Sequence, residues 1–271
     1  MTPLVFVVLL LPFTVVSPAS INTGNDGNET ELYTSEKIAM ANQNIVSSNA
    51  AGPHLTHGDI MVDMIDDGGI LRNAVPCTAT NCKWPKNKKN LVKIPYEITS
   101  DFSRSEAKFI KNILKGFKST TCIRFIKKKA KHNDYLSFIS ADGCWSYLGR
   151  TQNKQQISLR TSGCLFTDIV QHEVLHALGF HHEHVRSDRD DNVEIHFENI
   201  QAGLENNFQI SQTNNLNTPY DFDSVMHYSR FAFSKNNQPT ITAKDDSITT
   251  FGTATEMSDN DYARVNRLYE C

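Results

Sequence analysis

The most specific chemistry in this chain is carried by eleven residues, His172-Glu173-Val174-Leu175-His176-Ala177-Leu178-Gly179-Phe180-His181-His182, which read HExxHxxGxxH. His172 and His176 are four residues apart, so on a helix both imidazoles share one face and reach a single metal ion, with Glu173 beside the open coordination position. Gly179 breaks the helical pattern and predicts a left-handed turn that swings the chain back to bring in His182 as third ligand. Three neutral nitrogens leave the fourth tetrahedral position for water, and no cysteine lies between Cys164 and Cys271 to close it. That is the donor set of a catalytic zinc ion, one per chain, rather than a structural one. An accidental match of these fixed positions has a chance on the order of one in a hundred thousand. The chemistry implied is hydrolysis by a zinc-activated water with Glu173 as general base.

Such a site needs a helix to carry it and a core to hold the helix. Thr167 is the expected N-cap, with Asp168 placed for the helix dipole. Upstream, Leu91 to Ile98 alternates as a strand, with Pro95 favouring an edge or an end. Ser103-Arg104-Ser105-Glu106 is a capping box, and Ala107, Ile110, Ile113, Leu114 and Phe117 follow at helical spacing. Strand character resumes at Cys122 to Ile126, Leu136 to Ser140 and Ile157 to Leu159. Gly143 to Tyr147 is the expected edge strand, to which an extended substrate can add by main-chain hydrogen bonds. After His182, the charged run Glu183 to Asp191 can fix ligand orientation. Ser224-Val225-Met226-His227-Tyr228 is a tight turn carrying a Met and a Tyr. Ser258 to Asp261 caps a terminal helix whose Tyr262, Val265, Leu268 and Tyr269 face inward.

The 271 residues divide by charge. Residues 1 to 72 hold two basic residues against eight acidic ones, and the remainder holds 25 basic against 22 acidic. Leu4 to Val16 is apolar and Ser17-Pro18-Ala19 is small, which reads as a signal peptide over residues 1–20, although the usual Lys or Arg before the apolar run is missing. Residues 21–72 are rich in Asn, Ser, Thr and Gly, too poor in large apolar side chains to fold firmly alone, and read as a propeptide with a glycosylation acceptor at Asn28 and a trypsin-like cut site at Arg72. Residues 73–271 then form one catalytic unit of two lobes with zinc between them. No later stretch is long and apolar enough to cross a membrane, so the expected product is secreted. Lys127, Lys128, Lys129 and Lys131 lack interleaved aromatics and read as a solvated loop, not a nucleic-acid surface.

Six cysteines, at 77, 82, 122, 144, 164 and 271, follow an export signal and imply three disulfides, with fifteen pairings open on spacing alone.

The stretch HEVLHALGFHHEHVRSDRD, joined to SVMHY forty-odd residues later, resembles the astacin family of metzincin endopeptidases, and the likeness runs from Asn73 to Cys271. The extra Cys77 and Cys82 look most like the six-cysteine fish hatching-enzyme (choriolytic) branch. The resemblance implies an α+β, two-lobed protease: an N-terminal lobe with a mixed, mainly parallel sheet and the active-site helix, and a C-terminal lobe of loops and a terminal helix. It makes His172, His176 and His182 the zinc ligands and Glu173 the base. Tyr228 is implied as a weak additional ligand that swings to the tetrahedral intermediate, and Met226 as the apolar floor under the metal. It pairs Cys122 with Cys271, Cys144 with Cys164 and Cys77 with Cys82. Glu183 would receive the α-amine of Asn73 after the cut at Arg72, and Asp59 would take the water position on zinc in the zymogen. Two positions depart from the family pattern: Thr56 stands where the propeptide motif has Phe, and Gly149 to Asn153 lacks paired glycines.

The expected partners are a protein or peptide substrate, with egg-envelope glycoprotein implied by the hatching branch, and an activating trypsin-like protease. The resemblance further implies an extracellular monomer, released from secretory granules. The rival reading is a catalytically silent extracellular binding protein of the same fold, which loss of a ligand or of the base would favour; here both are intact.

Overall fold

The computed structural model describes residues 32–46, 54–62 and 82–271. The signal peptide, the Asn28 acceptor, the Arg72 cut site, Asn73 and Cys77 lie outside the described residues. The elements in chain order are α1 (Thr34–Val46), β1 (His54–Thr56), β2 (Ile60–Val62), β3 (Val92–Ile98), α2 (Arg104–Thr120), β4 (Ile123–Lys127), β5 (Tyr135–Ile139), β6 (Cys144–Tyr147), β7 (Lys154–Leu159), α3 (Thr167–Leu178), β8 (Val193–Ile195), β9 (Ile241–Ala243) and α4 (Asp259–Leu268).

Seven strands form one sheet in the order β1-β2-β6-β7-β5-β3-β4. The pairs β2–β6, β7–β5, β5–β3 and β3–β4 are parallel, and β1–β2 and β6–β7 antiparallel. The sheet is therefore mixed and mainly parallel within an α+β chain. Parallel strands covered by helices are buried, which is why Ile94, Leu136, Phe138 and Ile157 are fully inaccessible. Helix α2 opens on its capping box, with Ser103 and Glu106 each bonding the other's backbone N–H, and buries Ile110, Leu114 and Phe117 against the sheet.

Pro95 departs from expectation, because β3 lies between β4 and β5 rather than at an edge. Residues Val92 and Tyr96 bond toward β4, through Cys122 O and Lys128 N, so by the strand's period of two Pro95 faces β5. The β5 ladder begins only at Tyr96, opposite Leu136, so no ladder bond is asked of the missing N–H.

The described residues form two main apolar cores, with a small third cluster of Ile60 and Leu148. The larger joins the sheet, α2, α3 and α4; the smaller gathers Val193, Ile200, Phe208, Tyr228, Ile241 and Phe251 around the β8–β9 pair. Helix α4 closes the chain by burying Val265 and Leu268 in the larger core. A disulfide from Cys271 to Cys122 ties it there, and Cys144–Cys164 links β6 to the approach to α3. Cys82 is also disulfide-bonded. Ile38 and Ala41 of α1 enter the larger core, and β2 extends the sheet beside β6.

Candidate active site

Helix α3 is buried along its whole length from Asp168 to Leu178, so its apolar residues are not confined to one stripe. Its helical bonding begins one residue earlier than expected. Val170 N–H bonds Phe166 O at 3.0 Å, Phe166 is the extended N-cap, and Thr167 is already helical and makes no side-chain cap. At the other end Gly179 is left-handed, with φ 105°. Gly179 N–H bonds His176 O at 2.8 Å and Phe180 N–H bonds Leu175 O at 3.0 Å, the paired bonds of a Schellman motif. That reversal carries His182 back to the helix face bearing His172 and His176.

The three Nε2 atoms converge. His172 Nε2 lies 3.1 Å from those of both His176 and His182. His172 Nδ1 bonds Val225 O at 2.9 Å and His176 Nδ1 bonds Phe180 O at 2.7 Å. A carbonyl only accepts, so these Nδ1 atoms carry the protons and the Nε2 lone pairs point inward. Into the same point the turn between β1 and β2 sends Asp59, 1% exposed. Its carboxylate oxygens lie 3.0 Å from His172 Nε2, 3.3 Å from His176 Nε2 and 3.2 Å from His182 Nε2.

This donor set fits a metal cation. Burial lowers the pKa of His176 and of His182, against the pull of Asp59. Burial would raise the Asp59 carboxyl, yet positive charge beside it, centred on His182 and His176, holds it well below the usual carboxylate range. Three imidazole nitrogens and a carboxylate oxygen, all within 4.8 Å of one another, can hold such an ion.

Glu173 is fully buried, and neither carboxylate oxygen has a hydrogen-bond partner among the described residues. Burial, then the charge of Asp59, pushes its carboxyl well above the usual range. A buried carboxyl so shifted and without a partner is a candidate functional group.

The turn from Ser224 to Tyr228 supports the centre from below. Asp261 of α4 accepts from the Ser224 hydroxyl at 2.6 Å and from Val225 N–H at 3.0 Å, fixing the carbonyl that orients His172. Met226 is 2% exposed, within the larger core. The Tyr228 ring stacks on His184 with centroids 3.8 Å apart, and its hydroxyl donates to His57 O at 2.5 Å rather than joining the imidazole cluster. Gly58 makes that approach possible: at φ +84°, a Cβ there would sit 2.9 Å from the Tyr228 hydroxyl.

Glu183 does not face the metal centre. It is gripped by Arg264, whose Nη2 donates to Oε1 at 2.7 Å, and accepts from Asp221 N–H at 2.7 Å. Burial pushes its carboxyl up to about 7, against the pull of Arg264 and Arg186. A cavity lined by Phe180, Glu183, Asn215, Met226 and Arg264 opens beside it.

Several contributors carried no sequence signal of their own. Asn42 of α1 reaches both the Gly58 carbonyl and the backbone of Cys144. Asn207 O accepts from His184 Nε2 at 3.0 Å and meets His57 Nδ1 at 3.3 Å. Arg264 lies three residues past the capping Asp261, a helical spacing that places both on one face and was the one available hint.

A three-histidine centre with a neighbouring unpartnered carboxylate defines a metal-dependent hydrolase; the strand Gly143 to Tyr147, expected at an edge, is interior as β6, because β2 takes the side opposite β7. Residues 78–270 match the peptidase family described as astacin. Over 249 residues the chain is 38% identical to the low choriolytic enzyme of Oryzias latipes, covering 91% of this chain and 89% of that one. Over 228 residues it is 40% identical to the high choriolytic enzyme 1 of the same fish, covering 84% and 82%. The solved structure of high choriolytic enzyme 1, a hatching-enzyme zinc protease from Oryzias latipes, superposes with a TM-score of 0.69 at 43% identity, over 71% of this chain and 96% of that one. The chain belongs to the astacin family and is a zinc metalloendopeptidase.

Proposed function

We propose that the chain is a secreted endopeptidase made as a zymogen, with residues 1–20 as signal peptide, 21–72 as propeptide and 73–271 as catalytic domain. The observation that carries this reading is the Asp59 carboxylate, 3.0 to 3.3 Å from all three imidazole nitrogens. While it stays there, neither a water nor a substrate carbonyl can enter. The leader also blocks the cleft sterically: Ile60 and Met61 of β2 pair with Ser146 and Tyr147 of β6, the edge that an extended substrate would use.

His172, His176 and His182 would hold the zinc ion. When bound, zinc supplies a Lewis acid that polarises the scissile carbonyl and acidifies water. Glu173 takes the proton of the attacking water and passes it to the leaving amine. Tyr228, freed from His57 O, donates its hydroxyl to the carbonyl oxygen as negative charge develops there. After cleavage behind Arg72 by a trypsin-like protease, the α-amine of Asn73 enters the cavity beside Glu183, and Met226 remains the floor of the site. The intact base and ligand set argue against a silent binding protein. Likeness to two choriolytic enzymes supports an egg-envelope glycoprotein as natural substrate; the working form would be an extracellular monomer.

The test is casein hydrolysis by the full chain before and after limited trypsin, with and without 1,10-phenanthroline. Activity that appears with trypsin and is lost with chelator is the expected result. A chain that is cut at Arg72, binds one zinc and still cleaves nothing returns the choice to the binding-protein reading.

A further inference from the structure

The hydrolytic site makes no use of the first turn of α3, yet the leader places a cation there. Asp168 lies four residues before His172, on the same helical face and about 6 Å along the axis. Its side chain is 4% exposed. Oδ2 accepts from Lys37 Nζ at 3.1 Å and from the Thr34 hydroxyl at 2.7 Å, both on α1. The same ammonium sits 4.6 Å from the centroid of the Phe166 ring, and Phe166 is 45% exposed. A buried carboxylate below and an aromatic ring beside it make two separate contacts, both selective for positive charge.

Helix α1 meets β6 at Cys144, while β2 meets it at Ser146 and Tyr147, so the two leader segments divide the cleft between them. On the α1 side, Ser229 N–H donates to Ser35 Oγ at 3.0 Å and the Ser229 hydroxyl to Glu36 Oε1 at 2.7 Å. These body groups lose their partners if α1 leaves. Asp168 then loses both the Lys37 ammonium and the Thr34 hydroxyl, and a substrate cation can take their place.

We propose that Asp168 and Phe166 form a subsite for a cationic side chain of the substrate, lysine or arginine, which Lys37 fills while the leader is in place. The inference rests on the reading that the leader is removed. At about 3.3 Å per extended residue, the cation belongs about two residues from the cleaved bond, on the side that α1 occupies.

The experiment uses the trypsin-treated chain, with trypsin then blocked by a serine-protease inhibitor. Internally quenched peptides scan lysine against norleucine at three positions on each side of the bond, and mass spectrometry identifies the bond cut. Expected is a preference for lysine of about tenfold in kcat/KM at one position, mostly in KM, falling to near unity in Asp168→Asn. Phe166→Leu, which leaves the helix termini intact, is expected to reduce the preference about threefold and serves if Asp168→Asn does not fold. No lysine preference at any position, or one that both variants retain in full, overturns the subsite. No gain on norleucine peptides after the cut at Arg72 overturns the leader reading instead, and this inference with it.

Discussion

The side-chain amide of Asn42 pairs with the backbone of Cys144 as a neighbouring strand would: Oδ1 accepts from Cys144 N–H at 2.8 Å, and Nδ2 donates to Cys144 O at 2.7 Å. Nδ2 also donates to Gly58 O at 2.9 Å. One side chain of α1 thereby occupies the backbone of β6 at Cys144 and steadies the turn that aims Asp59. In Asn42→Ala both Cys144 groups lose their partners, at about 2 kcal/mol, or about thirtyfold in the docking equilibrium of the leader. The uncut chain is expected to show measurable peptide hydrolysis and faster cleavage by trypsin. Identical rates of activation in variant and parent would mean that Asn42 contributes nothing to closure.

Glu173→Gln removes the one buried carboxylate near the metal centre that has no partner among the described residues. The substitution keeps shape and burial but cannot take a proton. After activation, kcat is expected to fall by about 10² to 10⁴, the usual contribution of a general base, with zinc content unchanged. Turnover and metal analysis on one preparation decide the matter, since retained turnover removes Glu173 from the chemistry.

The local sequence made the metal centre legible because its geometry is written within one helix and one turn. Helical spacing aligns His172 with His176, and only a left-handed residue such as Gly179 reverses the chain sharply enough to return His182. The capping boxes at Ser103 and Ser258 were equally local. Pro95 misled because a strand is an edge or an interior strand only by virtue of partners distant in sequence. Thr167 misled because Phe166 O already accepts from Val170 N–H, leaving Thr167 inside the helix. Helix α1 was hidden for a different reason. Its apolar residues Ile38 and Ala41 are too few to make a core of their own and are buried only against the body.

His227 links stability to acid. Its Nδ1–H donates to Tyr228 O at 2.7 Å and its Nε2 accepts from the Tyr220 hydroxyl at 2.8 Å, so the fold requires the neutral ring. Burial lowers its pKa from 6.5 to about 4. Between those values the unfolded chain binds the proton and the native chain does not. This contribution is therefore present above pH 6.5 and is lost as pH falls toward 4, about 3 kcal/mol across the window. Thermal unfolding from pH 7 to 4 is expected to show a shallower acid limb in His227→Gln than in the parent. Parallel limbs would exclude His227 as a source of acid lability.

Asp261 reaches the metal centre without touching it. One carboxylate caps α4 through Ser258 N–H at 3.0 Å and holds the Ser224 hydroxyl and Val225 N–H, and Val225 O in turn orients His172. Asp261→Asn keeps the volume but replaces an acceptor oxygen with a donor, so at least one of these bonds must fail. Groups that orient a ligand in this way typically change metal affinity by about 10- to 100-fold when altered. Competition with a chromophoric chelator is expected to show weaker zinc binding in that range, together with a lower unfolding temperature from the damaged cap. Zinc affinity separates the two roles, because Ser258→Ala loses the hydroxyl that caps α4 but leaves the Asp261 carboxylate on Ser224 and Val225. Ser258→Ala is therefore expected to unfold at lower temperature with zinc affinity intact. If both variants lose zinc equally, the bonds from Asp261 to the turn are not what positions His172.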